Sequence, residues 1–282
     1  MKPRLETAEV YVPDGRPIDE ALARTTHLAV AAHQDDLEIM AFDGILKGYQ
    51  QDDRWFTGVV VTDGAGSSRD GLYKDYTDEK MRAVRRREQK KAAYVGDYAA
   101  AILLDYPSSA VKKAADGRPK DDILDILRAT RPEVVFTHNL ADKHDTHVSV
   151  ALRTIEAIRS LPPADRPQRL YGCEVWRDLD WLIDADKVGF DVSAHENLQA
   201  ALLGVFDSQI AGGKRYDLAT QGRRRAHATY FASHETDTVS LLNFGTDLTP
   251  LVLDPSIDPA AFIADFIDRF RADVVGRVSR FK

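Results

Sequence analysis

Cysteine is nearly absent: Cys173 is the one thiol in 282 residues. No intramolecular disulfide is available, and a cysteine-based zinc site is excluded. A chain without disulfides suits a reducing compartment. A basic surplus is also missing. Lys and Arg number 38 against 45 Asp and Glu, a formal net charge of −7, which argues against a general nucleic-acid binder. No run approaches the roughly 18 apolar residues that a bilayer span needs. The first residues, MKPRLETAEVYVPDGRP, lack the apolar core of a signal peptide. The expectation is a cytoplasmic protein with no membrane span. There is no internal repeat and no low-complexity tract. The glycine- and serine-rich loop DGAGSS at 63–68 has neither the G-x-G-x-x-G spacing nor a P-loop lysine, so it is a weak candidate for nucleotide binding.

What the chain does contain is ordinary for a folded protein, with 44% hydrophobic and 29% charged residues. Residues 1–26 hold three prolines and no sustained periodicity, and read as an irregular arm. From His27 onward, short apolar runs alternate with helical patterns. The runs are HLAVAAH (27–33), FTGVVVT (56–62), AAAILLD (ending at Asp105) and EVVFTH (ending at His138). The helical patterns cover about Leu37–Tyr49, Asp78–Val95, Asp121–Thr130 and Thr146–Ser160. Such alternation predicts an α/β fold, a Rossmann-like, mostly parallel sheet with helices on both faces. Beyond Leu170 the pattern changes. LYGCEVW and KVGFDVS suit strands, and helices are expected near His195–Ile210, Leu218–Thr229 and Ala260–Val274. With no obvious linker, residues 27–282 read as one domain, a core at 27–160 followed by a C-terminal α/β elaboration at 161–282.

In open α/β sheets, ligands bind beyond the carboxyl ends of the strands. Two of those ends are rich in polar groups. After the first strand come His33, Asp35, Asp36 and Glu38; after the fourth come His138, Asp142, His144, Asp145 and His147. Four of the chain's eight histidines lie in these two loops. Imidazole and carboxylate are good ligands for zinc and similar divalent ions. Either loop alone suits a structural histidine or an aspartate N-cap. Both loops on one edge of a sheet favour a site.

The residues also carry a resemblance. HQDD after an apolar strand resembles the H-P-D-D motif of the PIG-L (LmbE-like) deacetylases, a family that includes zinc-dependent enzymes acting on N-acetylglucosamine conjugates. HDTH resembles the family's H-P-D-H motif. Between them VTDGAGS, RRREQKKAAYVG, LLDYP and RPEVVFTH resemble the intervening segments in order, and Ser208-Gln209 resembles a later S-Q. The resemblance covers about residues 27–160. It implies His33, Asp36 and His147 as metal ligands, Asp35 as general base, His144 as the histidine that assists the transition state, and Arg85 as a substrate contact. The implied cofactor is Zn²⁺, with another divalent transition metal as the alternative. The implied substrate is a small N-acylated molecule, an amino-sugar conjugate.

The chain departs from the family pattern in places. Gln34 replaces the usual proline, Asp145-Thr146 replaces Pro-Asp, and Pro107-Ser108 stands where Pro-Asp is common. Asp142 or Asp145 is left to partner a site histidine. Apart from Arg85, the basic run 85–91 reads as a solvated helix face with carboxylate partners, and Glu88 is spaced to pair with Arg85. Asp63 is a candidate either for binding a sugar hydroxyl or for a turn. His227 and His234 are placed to reach the site only if the C-terminal part folds over it. Trp176, Trp181 and Tyr171 suit core or rim, with sugar stacking as the other option, and Cys173 suits a buried thiol. Two other functions remain open at this level: hydrolysis of a non-sugar N-acyl compound, and non-catalytic binding of a sugar or nucleotide. Oligomeric state is not legible.

Overall fold

Every one of the seven residues of Phe56–Thr62 is buried, a pattern that requires cover on both faces of a sheet. The computed structural model describes all 282 residues. In chain order the elements are β1 (Glu9–Tyr11), α1 (Ile18–Ala23), β2 (His27–Ala31), α2 (Asp36–Met40), α3 (Phe42–Gly48), β3 (Phe56–Thr62), α4 (Asp78–Val95), β4 (Ala100–Tyr106), α5 (Ser108–Lys112), α6 (Arg118–Thr130), β5 (Val134–His138) and α7 (Asp145–Arg159). They continue as β6 (Arg169–Cys173), β7 (Val188–Asp191), α8 (Glu196–Gly204), α9 (Asp207–Ile210), α10 (Tyr216–Tyr230), β8 (Leu242–Asp247), α11 (Thr249–Leu253) and α12 (Pro259–Ser279).

All eight strands join one sheet in the order β1-β4-β3-β2-β5-β6-β8-β7. The five central strands, β4 to β6, run parallel. β1 adds antiparallel to β4, while β8 and β7 extend the other edge antiparallel. Alternate side chains of β2 go to opposite faces, as the two-residue strand period dictates. Leu28 and Val30 join the core under α6 and α7, and Ala29 and Ala31 join the core under α2 and α3. The chain proceeds outward from β2 through β3 to β4, then returns to lay β5 on the opposite side of β2. That reversal opens a crevice beyond the carboxyl ends of β2 and β5. No helix is long and apolar enough to cross a membrane.

Several elements differ from the sequence reading. Residues 1–26 are not irregular throughout: β1 pairs Glu9 with Leu103, and α1 buries Ala21 and Leu22. The Leu37–Tyr49 helix is two helices, broken at Ala41, whose φ of −114° and ψ of 26° leave the helical region. His195–Ile210 likewise divides into α8 and α9. β8 has no counterpart in the sequence reading. Its residues LNFGTD alternate only faintly, because buried Asn243 and Thr246 take core positions by hydrogen bonding. Asn243 Oδ1 accepts from Arg224 Nε, and Thr246 Oγ1 donates to the Gly172 carbonyl.

Candidate metal centre

β2 ends one residue before the sharp turn that carries the first half of the site. Asp35 sits at φ 87°, in the left-handed region that aspartate tolerates better than most side chains. The turn aims His33 and Asp36 at one point. The Asp36 carboxylate accepts from the His33 backbone N–H at 2.7 Å, which fixes it across the turn. Gln34 takes over the stiffening expected of a proline: its Nε2 donates to the Thr62 carbonyl at the end of β3. The loop after β3 presses against this turn. Gly64 has φ 72°, and a Cβ there would stand 2.4 Å from Gln34 Oε1 and 3.2 Å from Arg85 Cγ, so the close approach needs glycine.

The second half follows β5. α7 begins at Asp145, and its first turn buries His147. His147 Nε2 lies 3.1 Å from His33 Nδ1 and 3.4 Å from Asp36 Oδ2, and His33 Nδ1 lies 3.3 Å from the same Asp36 oxygen. Three donors bound at about 2.0–2.2 Å in tetrahedral directions stand roughly 3.3–3.6 Å apart. The observed separations are close to these, so the triangle could hold one divalent ion, and two of its members, His33 and Asp36, line a cleft. The opposite nitrogen of His147 is held by Asp142: Nδ1 is 3.3 Å from Asp142 Oδ2. Asp142 also accepts from the backbone N–H groups of His144 and Trp176. Asp142, not Asp145, is thus the partner of the site histidine; Asp145 is exposed at the head of α7.

Two other histidines crowd the triangle. His138, fully buried, stacks on His147 with ring centres 3.9 Å apart, and its Nε2 is 3.5 Å from Asp36. That nitrogen accepts from the Ala32 backbone N–H at 2.8 Å, so its lone pair is engaged and it is a poor ligand. His144 stacks on His147 at 4.5 Å and meets His33 edge-on at 5.0 Å. Together with His33 and His147 it forms a second set of three donors within 4.8 Å of one another. Its Nδ1 has no hydrogen-bond partner.

The charges are strongly coupled. Burial would raise the Asp36 carboxyl, but His147, His138 and His33 hold it well below the usual carboxylate range. Burial would likewise lower His147, but the carboxylates of Asp36 and Asp142 outweigh it and raise its pKa. Asp35 moves the other way. Burial raises its pKa, Arg85 opposes the rise, and neighbouring Asp36 adds to it. A carboxyl held above its ordinary value on the wall of a cleft is suited to accepting a proton.

Asp35 is held by a buried relay. Arg85 Nη2 lies 3.3 Å from Asp35 Oδ2 and donates to the Gln34 carbonyl. Arg85 Nη1 is 3.8 Å from Glu88, which accepts 2.7 and 2.6 Å hydrogen bonds from the N–H and Oγ of Ser208. The Ser208-Gln209 pair therefore contributes its serine to this relay and its glutamine to the cleft wall. On the other side, Gln89 Oε1 accepts from the Asp35 N–H and its Nε2 donates to Glu38. Glu38 is fully buried, and burial raises its pKa to about 8, so it supports Gln89 from inside the core without lining the cleft.

The cleft has a volume of about 690 Å³. His33, Asp35 and Asp36 form its floor, and Arg85, His144, Trp176, Gln209 and Tyr216 are among its walls. Asp63 does not line it: Asp63 accepts from the Ala65 N–H and lies 3.7 Å from Arg82, the turn role. His227 does not reach it either. Its ring stacks on Phe244 and its Nδ1 lies 3.2 Å from buried Glu174. His234 is outside the lining, as are Trp181 and Tyr171. Trp176, read from the sequence as core or rim with sugar stacking as the other option, lines the cleft, as does Gln209 of the S-Q pair; Lys214 and Arg223, which line it too, had no assigned role in the sequence reading, because α10 and the segment before it bring them in from far along the chain.

Residues 28–158 match the family model described as PIG-L, GlcNAc-PI de-N-acetylase. No curated protein sequence matches the chain. Among solved structures, the chain is similar to the N,N'-diacetylchitobiose deacetylase of Pyrococcus horikoshii, with TM-score 0.61 and 16% identity, covering 82% of this chain and 86% of that one. It is similar to the A40926 pseudoaglycone deacetylase Dbv21, with TM-score 0.58 and 16% identity, covering 79% and 97%. It is also similar to GalB, the 4-carboxy-2-hydroxymuconate hydratase of Pseudomonas putida KT2440, with TM-score 0.59 and 16% identity, covering 79% and 95%. At such identities the likeness is one of fold, and one fold hosts more than one reaction.

Proposed function

Starting from a PIG-L-type core at residues 28–158, we propose that the protein is a zinc-dependent hydrolase that removes an acetyl group from the nitrogen of an amino-sugar conjugate. The observation that carries this reading is the donor triangle of His33, Asp36 and His147, of which His33 and Asp36 line the cleft together with Asp35 and His144. His33, Asp36 and His147 would hold the ion. When bound, zinc supplies Lewis acidity, lowering the pKa of a water toward about 7 and polarising an acyl carbonyl.

The remaining steps fall to the chain's own groups. Asp35 accepts the proton of the attacking water. Its carboxylate is kept in place by Arg85, and its backbone by Gln89. As the amide carbonyl becomes tetrahedral, negative charge grows on its oxygen. His144, with an unpartnered Nδ1 and a position on the cleft wall, donates to that oxygen or to the departing nitrogen. Asp142 keeps the His147 Nδ1 proton pointed away from the ion, so that Nε2 faces inward. Acetate and a free amine are the products.

A screen of the zinc-loaded protein tests the reading. Amine release is measured on acetylated amino sugars, on acetylated non-sugar amines and on longer acyl sugars. Hydration of an unsaturated carboxylic acid is measured alongside, since a hydratase shares the fold. Amine from the sugars in preference to the other amides is the expected result. Zinc-loaded protein that hydrates the acid and releases no amine contradicts it.

A further inference from the structure

α12 is the longest helix in the fold and the least buried. Of its 21 residues only Phe266 is buried. The first turns are docked: Phe262 and Ile263 pack with Phe266 on the small core of Leu179 and Phe244, and Arg269 Nε meets Asp186 at 2.7 Å. From Arg271 onward every residue except Asp273 is exposed. Yet this half is rich in apolar groups. Six of the thirteen exposed large apolar side chains lie between residues 267 and 281, and the other seven are spread over the rest of the chain. Single exposed apolar groups need no explanation, whereas a cluster marks a contact surface.

Five of the six form one stripe. Ile267, Phe270, Val274, Val278 and Phe281 follow at steps of three, four, four and three residues. That spacing keeps them on one helix face over about 21 Å. Local preference does not account for helix in this stretch. Val274, Val275, Gly276 and Val278 are poor helix formers, and a Cβ added at Gly276 would meet nothing within 4 Å. Helices of such composition are held by packing of their apolar face, and within the chain this face has no cover.

Two features show what covers it. The steps read the same in both directions about Val274. A two-fold contact sets one patch against itself, so an antiparallel pair matches Ile267 with Phe281, Phe270 with Val278, and Val274 with its own copy. The charges favour the same direction. Every carboxylate of α12, Asp265, Asp268 and Asp273, precedes Val274, and only cations follow it: Arg277, Arg280 and Lys282. Antiparallel pairing lays the cationic end along the partner's carboxylates, whereas parallel pairing sets three cations against three. A helix lying on a membrane surface carries cations along its polar face; here three carboxylates interrupt that face.

We propose that α12 joins two copies of this chain as an antiparallel helix pair with its two-fold axis at Val274. None of the stripe lines the cleft, so the proposal does not depend on the deacetylase reading.

Sedimentation equilibrium of the full chain is expected to give a dimer at micromolar concentration. Val274→Lys with Val278→Lys, at exposed positions where lysine favours helix, is expected to weaken the dimer by about tenfold or more with an unchanged far-UV circular dichroism spectrum. Cross-linking reads the direction, since the native thiol of Cys173 is buried. Mild oxidation is expected to link Val274→Cys to its own copy, and not Ala272→Cys, which lies on the opposite side of the helix. Ile267→Cys and Phe281→Cys are expected to link to each other when mixed, and neither to itself. A monomeric wild type, a dimer unaltered by the double lysine substitution, or self-linking of Ile267→Cys overturns the proposal. Binding of a monomeric chain to phosphatidylglycerol vesicles also overturns it, and would assign the stripe to a membrane surface.

Discussion

Asp142 Oδ2 lies 3.3 Å from His147 Nδ1, two residues outside the histidine-aspartate-threonine-histidine run that contains the rest of that side of the site. The contact decides which His147 nitrogen is free to face Asp36. Asp142→Ala is therefore expected to weaken zinc affinity by about 10–100-fold, the usual range for losing the partner of a ligating histidine. Competition with a chromogenic chelator measures this, and unchanged affinity would remove Asp142 from that role.

Asp35→Asn separates proton transfer from metal binding. The amide keeps the shape of the carboxylate and cannot accept a proton from water. Zinc content is expected to stay at the wild-type value while kcat falls by about 10²-fold or more. A variant with bound zinc and near-normal turnover would sink the assignment of Asp35 as base.

Much of this was legible because the parallel core places its chemistry at strand ends. His33 and His138 are reached by counting to the end of an apolar run, and the order of β2 and β5 puts them on one crevice. The donors are close in sequence within each loop, so local spacing carries the information. What was not legible came from elements with weak patterns. Lys214 and Arg223 are set by how the chain returns after β6, and no period in the sequence encodes that path. Asp63 looked like a ligand-binding residue because it follows a strand. In the fold its carboxylate closes its own turn. Ser208 could be singled out by resemblance, but its bond to Glu88 spans 120 residues, and only the packing of α9 on α4 reveals it.

Ser208→Ala tests that relay. Glu88 loses the 2.6 Å hydroxyl bond in a buried setting, and the expected cost is about 1–3 kcal/mol of stability by urea denaturation. Turnover is expected to fall several-fold with zinc content unchanged, since Arg85 and then Asp35 are less firmly held. Ser208→Thr should restore both. Full turnover in the alanine variant would show that the relay does not position Asp35.

His27 supplies a pH dependence away from the metal centre. Burial pushes its pKa down to about 4, with Lys47 and Arg54 adding to the effect, and the side chain is only 7% exposed. The folded state therefore holds His27 neutral while the unfolded chain protonates it near pH 6.5. Stability from this residue is complete above that pH, is lost as pH falls through the window from 6.5 to 4, and does not fall further below it. Between pH 7 and pH 5 the wild type is expected to lose about 2 kcal/mol more than His27→Gln. Parallel losses in the two proteins, by denaturant unfolding at each pH, would contradict this.

The metal centre at His33, Asp36 and His147 is tested most directly by anomalous diffraction at the zinc edge from crystals grown without chelator. The expected result is one peak per chain about 2.0–2.2 Å from His33 Nδ1, Asp36 Oδ2 and His147 Nε2. No peak in zinc-supplemented crystals, or a peak bound by His144 or His138 in place of Asp36, would contradict it.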